Sequence, residues 1–97
     1  MASDKERGDV LSAKFDSSNH DVWWFHFKLF VEGKGLWGLV DGSETEPAAT
    51  QVKTLRWWKI DNAMIISWIL SFVDVSIDIS KQGFQKAKEM WDYLEKV

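Results

Sequence analysis

The sequence predicts an all-α fold, a compact bundle of about four to five helices. The chain has 97 residues, which is enough for one hydrophobic core but too few for two. Hydrophobic residues make up 45% and charged residues 28%, a balance typical of a folded chain. Most apolar residues recur at helical spacing. We expect residues 1–13 to form a flexible, polar lead-in and residues 14–97 to form the helical domain.

The first helix is expected to begin within residues 17–21, because the side chains of this polar cluster can accept hydrogen bonds from the free amides at a helix start. The many aromatic residues would also suit a strand, but the three adjacent rings at positions 23–25 break strict alternation. Gly33 and Gly35 are expected to end the helix and redirect the chain. The apolar positions, at i, i+4, i+7 and i+8, are Trp23, Phe27, Phe30 and Val31.

The middle of the chain is expected to hold a short turn, a surface loop and a long helix. Trp37 should pack a helical turn or two over residues 36–40, and residues 41–50 are typical of a loop. The long helix should run from about Thr50 to Phe72, and its second half is apolar on all sides. Such a helix has to be surrounded by its own domain or by another subunit. Its three apolar stripes are Val52, Leu55, Ala63, Ile66 and Leu70; Trp57, Ile60, Met64 and Trp68; and Trp58, Ile65, Ile69 and Phe72.

The last quarter of the chain begins with an ambiguous segment. Residues 74–80 alternate between polar and apolar and could form one short strand. Because no partner strand is visible in the sequence, we predict a helical turn or an extended connection instead. The last helix should start after Gly83 and reaches Val97 without a cap or breaker, which suggests that Val97 is a truncation point. The apolar positions of this helix are Phe84, Ala87, Trp91 and Leu94.

Seven tryptophans are more than so small a core can easily enclose. Rings that remain partly outside a core are typical anchors for protein partners. Trp24 and Trp58 each neighbour a tryptophan of a core stripe, so we expect their rings to be partly exposed. The expected core residues are Trp23, Phe27, Trp37, Trp57, Ile66, Trp68, Trp91 and Leu94. The candidate interface residues are Trp24, Trp58, Ile65 and Phe72.

The charge balance and the lack of cysteine limit the possible partners. With 12 basic and 15 acidic residues, the net charge is −3, so direct binding of nucleic acid by this segment is not expected, although a local basic patch remains open. The absence of cysteine excludes disulfides and permits a reducing compartment, so we expect the cytoplasm. The longest apolar run, residues 64–73, is half of the roughly 20 residues that a membrane span requires. We therefore expect no membrane contact.

The sequence predicts no enzyme and no catalytic, cofactor-binding or metal site. His20 and His26 would lie on nearly opposite sides of a helix, and the acidic residues nearby show no spacing typical of metal ligands. Asp74 and Asp78 could pair, but they more simply cap turns. Residues 33–35 lack the spacing of a phosphate loop. Stacking of RNA bases on the rings is disfavoured because the rings lie at core spacing.

Two segments carry a resemblance to a known family. Residues 15–23 read FDSSNHDVW and residues 35–42 read GLWGLVDG. In this order they resemble the start of the Gag polyprotein of plant copia-type LTR retrotransposons. That family has the motif F-x-G-x-N-Y-x-x-W and then a glycine turn with L-W. These are followed by W-x-x-x-D before W-I-L, and by A-x-x-x-W-x-x-L, which the rest of this chain also resembles. The resemblance covers about residues 14–97. The matching residues are Phe15, Asn19, Trp23, Leu36, Trp37, Trp57, Asp61, Trp68, Ile69, Leu70, Ala87, Trp91 and Leu94.

The resemblance implies an all-helical domain like the N-terminal lobe of a capsid protein, whose relatives assemble into virus-like particles around element RNA. Ser17 replaces the usual glycine and His20 the usual tyrosine, and without cysteine there is no zinc knuckle to handle RNA. The expected function is therefore self-assembly through protein contacts. The alternative is a domesticated, monomeric module that binds another protein or a peptide in a tryptophan-lined groove. An excised lobe, a truncated element product and a host protein all remain open.

Overall fold

The computed structural model describes residues 14–16, 18–74, 77, 79 and 83–96 of the chain. Within this part the predicted all-α class is confirmed. The expected lead-in over residues 1–13 lies outside the described residues, as do Ser17, Asp78 and Val97. The helices, numbered in chain order, are α1 (His20–Gly33), α2 (Trp37–Asp41), α3 (Val52–Phe72) and α4 (Ala87–Glu95).

The polar cluster before α1 starts the helix where expected but works differently from the prediction. Asn19 is the residue at the helix boundary, yet its side chain makes no capping hydrogen bond. Its amide group donates instead to the carbonyl of Lys14 over 2.9 Å, and its Oδ1 accepts the Asp16 amide over 3.2 Å. The Asp16 carboxylate accepts both the amide and the hydroxyl of Ser18. The expected capping by side chains is therefore wrong, because these side chains hold residues 14–16 against the start of α1.

This arrangement fixes Phe15 in the core, where its side chain is fully buried. The Phe15 amide donates to the Phe72 carbonyl and the Phe15 carbonyl accepts the Asp74 amide, both over 2.8 Å. Phe15 and Val73 thus form an isolated parallel bridge at the end of α3. The bridge lies just before residues 74–80, for which the sequence predicts a helical turn or an extended connection; of these, the structure describes Asp74, Ile77 and Ile79, and none of the three is in a strand. A single bridged residue can extend the backbone there without making a sheet.

Glycines follow the ends of the first two helices, and the glycine turn after α1 was predicted from the sequence. α1 runs through Gly33, and the turn after it depends on Gly35, which has a φ of 74°. α2 ends at Asp41 and is followed by Gly42, which has a φ of 90°. Both values lie in the left-handed region that glycine adopts without steric cost. The chain then crosses the loop of residues 42–51 to α3.

A buried asparagine that the sequence analysis missed connects α3 to α4. The Asn62 side chain donates to the Gln85 carbonyl and accepts the Ala87 amide, each over 2.8 Å. Lys86, at the boundary of α4, makes no capping hydrogen bond with its own side chain. Asn62 therefore satisfies a free amide at the start of α4 from a distant part of the chain.

Trp91 of α4 lies at the centre of the core. Its ring centroid is 6.0 Å from that of Trp23 and 5.3 Å from that of Phe27, both on α1. The ring of Trp37 on α2 meets it edge-on at 5.2 Å. One side chain thereby joins three helices. The buried hydrophobic residues are Phe15, Trp23, Phe27, Val31, Leu39, Val40, Ile65, Ile69, Val73, Ile79, Ala87, Met90, Trp91 and Leu94.

The rotation of α3 about its own axis corrects two predictions. Trp57, expected in the core, is 63% exposed, whereas Ile65, expected at an interface, is fully buried. The reason is that Asn62, Ile65 and Ile69 lie at i, i+3 and i+7 and face the other helices. Trp57 then lies on the opposite side of α3. The remaining expected core residues Trp37, Ile66 and Trp68 are partly buried against the core.

Candidate interaction surfaces

The outer side of α1 carries a row of exposed apolar side chains. Val22, Phe25 and Leu29 lie at i, i+3 and i+7 and are between 49% and 62% exposed. The buried residues of the same helix point to the opposite side, because α1 is anchored through Trp23 and Phe27. We call Val22, Phe25 and Leu29 the α1 stripe. Burying apolar area of this kind is favourable, so the stripe is suited to contact another protein surface.

The charges next to the α1 stripe are predominantly acidic. Asp21 and Glu32 are exposed at its two ends. The one basic residue within α1, Lys28, places its Nζ 5.7 Å from the centroid of the Trp37 ring and so reaches towards α2. Among the described residues Glu32 has no ion-pair partner, and the Asp21 carboxylate lies 3.9 Å from the Nδ1 of His20.

The outer side of α3 carries a second row with the same spacing. Trp57, Ile60 and Met64 lie at i, i+3 and i+7 and are between 40% and 63% exposed. We call them the α3 stripe. Val52 and Leu70 are also exposed, but at about 100° per residue they lie on another side of the helix. These three residues belong to a stripe predicted from the sequence together with Trp68, and of them only Trp57 was expected in the core.

The charges next to the α3 stripe are mainly basic, although the partly exposed Asp61 follows Trp57 by four residues on the same side of the helix. Lys53 precedes Trp57 by four residues and so continues its line, while Arg56 lies beside Ile60. Both are exposed, and within the described part of the chain neither forms an ion pair. A shallow depression of about 370 Å³ adjoins the stripe. It is lined by Ala49, Val52, Leu55, Arg56, Lys59 and Ile60.

A separate groove of about 330 Å³ lies between the loop of residues 42–51 and α3. Trp57 and Trp58 form part of its wall, together with Pro47 and Thr54. The Nε1 of Trp58 donates to the Glu44 carbonyl over 3.4 Å, which ties the loop to the helix. We call this the loop groove. Trp57 is shared between the loop groove and the α3 stripe.

Comparison with protein-family models, curated proteins and solved structures finds no match to this chain.

The four interface residues expected from the sequence do not form one surface. Trp24 is partly buried, its ring centroid 3.5 Å from that of Trp91 and 4.8 Å from that of His20. Phe72 packs edge-on against Phe30 and is also partly buried. Trp58 lines the loop groove and is partly exposed, as expected from the sequence. The α1 stripe was missed, although its i, i+3, i+7 spacing could have revealed it.

Three charged side chains among the described residues have shifted pKa values. The pKa of Asp16 is held below its usual value by hydrogen bonds from the hydroxyl and amide of Ser18, and that of Asp41 by Ser43. The pKa of Lys88 is raised by its hydrogen bond and ion pair with Asp92. All three groups are on the surface; the Asp16 and Asp41 bonds hold local turns, and the Lys88 pair lies within α4.

The described part of the chain holds neither a metal-binding cluster nor a membrane-spanning helix. Nowhere in this part do three or more histidine, aspartate or glutamate side chains come together in a way that could hold a metal ion. Its helices also include none with the length and apolar character needed to cross a membrane.

Proposed function

We propose that this chain is a capsid-like domain derived from a retrotransposon Gag protein, that it acts through protein contacts, and that its partner is another copy of itself. The observation that carries the proposal is the pair of exposed apolar stripes on α1 and α3. Exposed apolar rows next to charged residues are typical of surfaces that become buried on association. As part of the same proposal, the domain is of plant origin, works in the cytoplasm, and leaves RNA to other segments of a Gag protein.

The residues behind the family resemblance support the derivation from Gag by their roles in this fold. Phe15 is held by Asn19, which fixes the backbone on either side of it, and its ring lies 5.0 Å from that of Trp23. Trp91 and Leu94 are buried at the other end of the chain. A shared pattern of buried residues supports a shared fold, because changing Phe15, Trp91 or Leu94 would disturb the core. Trp57 and Leu70 belong to the same pattern but are exposed, so they do not contribute to this support.

The average molar mass in solution tests self-association directly. Light scattering coupled to size exclusion, run from micromolar to millimolar chain, should show a mass that rises with concentration. A mass that stays at that of one chain over the whole range would contradict the proposal.

A second candidate function is the binding of a peptide by a monomeric chain, and the loop groove favours it. Trp57 and Trp58 offer large rings in its wall, and aromatic rings are common anchors for bound peptides. Peptides selected from a random library against the chain should lose binding in Thr54→Arg, which fills the groove. They should keep it in Ser67→Arg, an exposed position of the same helix outside the groove. Equal binding to both variants would contradict this function.

A further inference from the structure

We propose that copies of this chain associate head to tail, with the α1 stripe of one copy packed on the α3 stripe of the next. This inference rests on the proposed self-association and names the two surfaces that meet. Each surface is part of a helix and is exposed in a single chain.

The apolar side chains of the two stripes have the same spacing. Both stripes place three apolar side chains at i, i+3 and i+7, which spans about 10 Å along a helix axis at 1.5 Å per residue. Rows of equal length and spacing can interdigitate as helices do in a protein core. At the edge of the α3 stripe, Ile60 borders the depression that it shares with Val52 and Leu55, and Phe25 supplies the only ring in the α1 stripe.

The charged residues beside the two stripes are largely of opposite sign. Asp21 and Glu32 accompany the α1 stripe, whereas Lys53 and Arg56 accompany the α3 stripe. Packing a stripe against its own copy would bring like charges together, which is unfavourable at an interface. Packing α1 against α3 brings opposite charges together. Within the described part of the chain, Glu32, Lys53 and Arg56 form no ion pair. Asp21 has only the 3.9 Å contact with His20.

The consequence is an assembly that does not stop at two copies. When two different surfaces of one chain meet, each dimer still offers one free surface of each kind. Growth then continues until a ring closes or a filament forms.

Mixing two variants tests the pairing. Phe25→Gln with Leu29→Gln removes the α1 stripe, and Ile60→Gln with Met64→Gln removes the α3 stripe. All four positions are exposed, so we expect both variants to fold with an unchanged circular dichroism spectrum. Each variant alone should be monomeric, and an equal mixture should form a 1:1 dimer through the one intact pair of stripes. Leu70→Gln, which removes an exposed apolar side chain outside the stripes, should associate like the wild type.

The outcomes separate this inference from the proposed function. If the wild type associates but the mixture stays monomeric, the head-to-tail pairing is overturned and self-association stands. A folded variant that dimerises alone would overturn the pairing as well, because its remaining stripe would bind its own copy. A wild type that is monomeric at every concentration overturns both.

Charge exchange provides an independent readout. Asp21→Lys with Glu32→Lys, or Lys53→Glu with Arg56→Glu, should each weaken association by roughly one and a half- to fivefold per charge pair. Combining all four substitutions in one chain should restore the wild-type association constant. Glu95→Lys with Lys96→Glu, at the exposed end of α4, is the matched control and should change nothing. Failure of the combined variant to recover, with the control unchanged, would overturn the charge argument.

Discussion

At the scale of single residues, tryptophans in this chain differ sharply in what they stabilise. Trp91 is buried among Trp23, Phe27 and Trp37, whereas Trp57 projects into solvent. Trp91→Ala should cost about 3 to 5 kcal/mol of unfolding free energy, comparable to the whole stability of a small domain. We expect that variant to show no cooperative thermal transition. Trp57→Ala should stay within about 0.5 kcal/mol of the wild type in urea unfolding. Equal effects of the two substitutions would contradict the assigned rotation of α3.

Asn62 is expected to be the most important polar residue for stability, because it connects two segments more than 20 residues apart in the sequence. Asn62→Leu would leave the Ala87 amide and the Gln85 carbonyl without their partner, at a cost of about 1 to 3 kcal/mol. Ser71→Ala is the control, since the Ser71 hydroxyl bonds only within its own exposed helix turn. Urea unfolding of the two variants measures the difference. A loss in Asn62→Leu no larger than in Ser71→Ala would contradict the bridging role.

The carboxyl of Asp16 should titrate below its ordinary pKa of 3.8, chiefly because the Ser18 hydroxyl and amide donate hydrogen bonds to it. Since the folded pKa is the lower one, the hydrogen bonds stabilise the fold above the ordinary pKa and this contribution is lost as the pH falls through the folded pKa. Ser18→Ala should raise the pKa of Asp16 towards its ordinary value in a carboxyl titration followed by NMR. Ser43→Ala should leave it unchanged. If the pKa of Asp16 were the same in Ser18→Ala as in the wild type, this origin of the low pKa would be contradicted.

At the scale of elements, the glycine turns could be predicted from the sequence because local chemistry determines them, whereas the helix starts could not. The expected side-chain cap of α1 is absent, and the last helix begins at Ala87, after Phe84, where the distant Asn62 binds its first amide. Gly35 and Gly42 occur where the backbone turns left-handed, and helical spacing identified α1, α3 and α4. The orientation of α3 could not be predicted, because each of its three apolar stripes was equally able to face a core. The contacts of Ile65 and the hydrogen bonds of Asn62 decide it, and both depend on residues distant in the sequence.

The turn between α1 and α2 gives a sharp test of backbone conformation. A Cβ at Gly33 or at Gly35 would meet no atom within 4 Å, so steric crowding is equal at the two positions. Gly33 belongs to α1, and Gly33→Ala should be neutral or stabilise the chain by up to about 1 kcal/mol. Gly35 has a φ of 74°, and Gly35→Ala should cost about 1 to 2 kcal/mol. In thermal unfolding the melting temperature should fall in Gly35→Ala and should stay the same or rise in Gly33→Ala. Parallel shifts would contradict the left-handed turn at Gly35.

At the scale of the whole molecule, the core holds the two stripes in a fixed relation. Trp91 packs against α1 and α2, and Phe30 of α1 meets the rings of Trp68 and Phe72 on α3 at 5.1 and 6.3 Å. Because α1 and α3 are packed through these rings, the angle between their outer faces is set by close packing rather than by a flexible linker. Under the proposed head-to-tail pairing, this angle determines the rotation from one copy to the next.

The same geometry makes assemblies sensitive to a chain that lacks one stripe. The variant Phe25→Gln with Leu29→Gln keeps its α3 stripe, so it can accept the α1 stripe of a neighbour but cannot continue the series. Adding small amounts of it to wild-type chain should shorten the assemblies in proportion to its share, as measured by light scattering. Leu70→Gln added in the same amounts should leave the mean mass unchanged, because both of its stripes are intact. An interface between identical surfaces would stop at dimers, so a mean mass insensitive to the first variant would contradict head-to-tail growth.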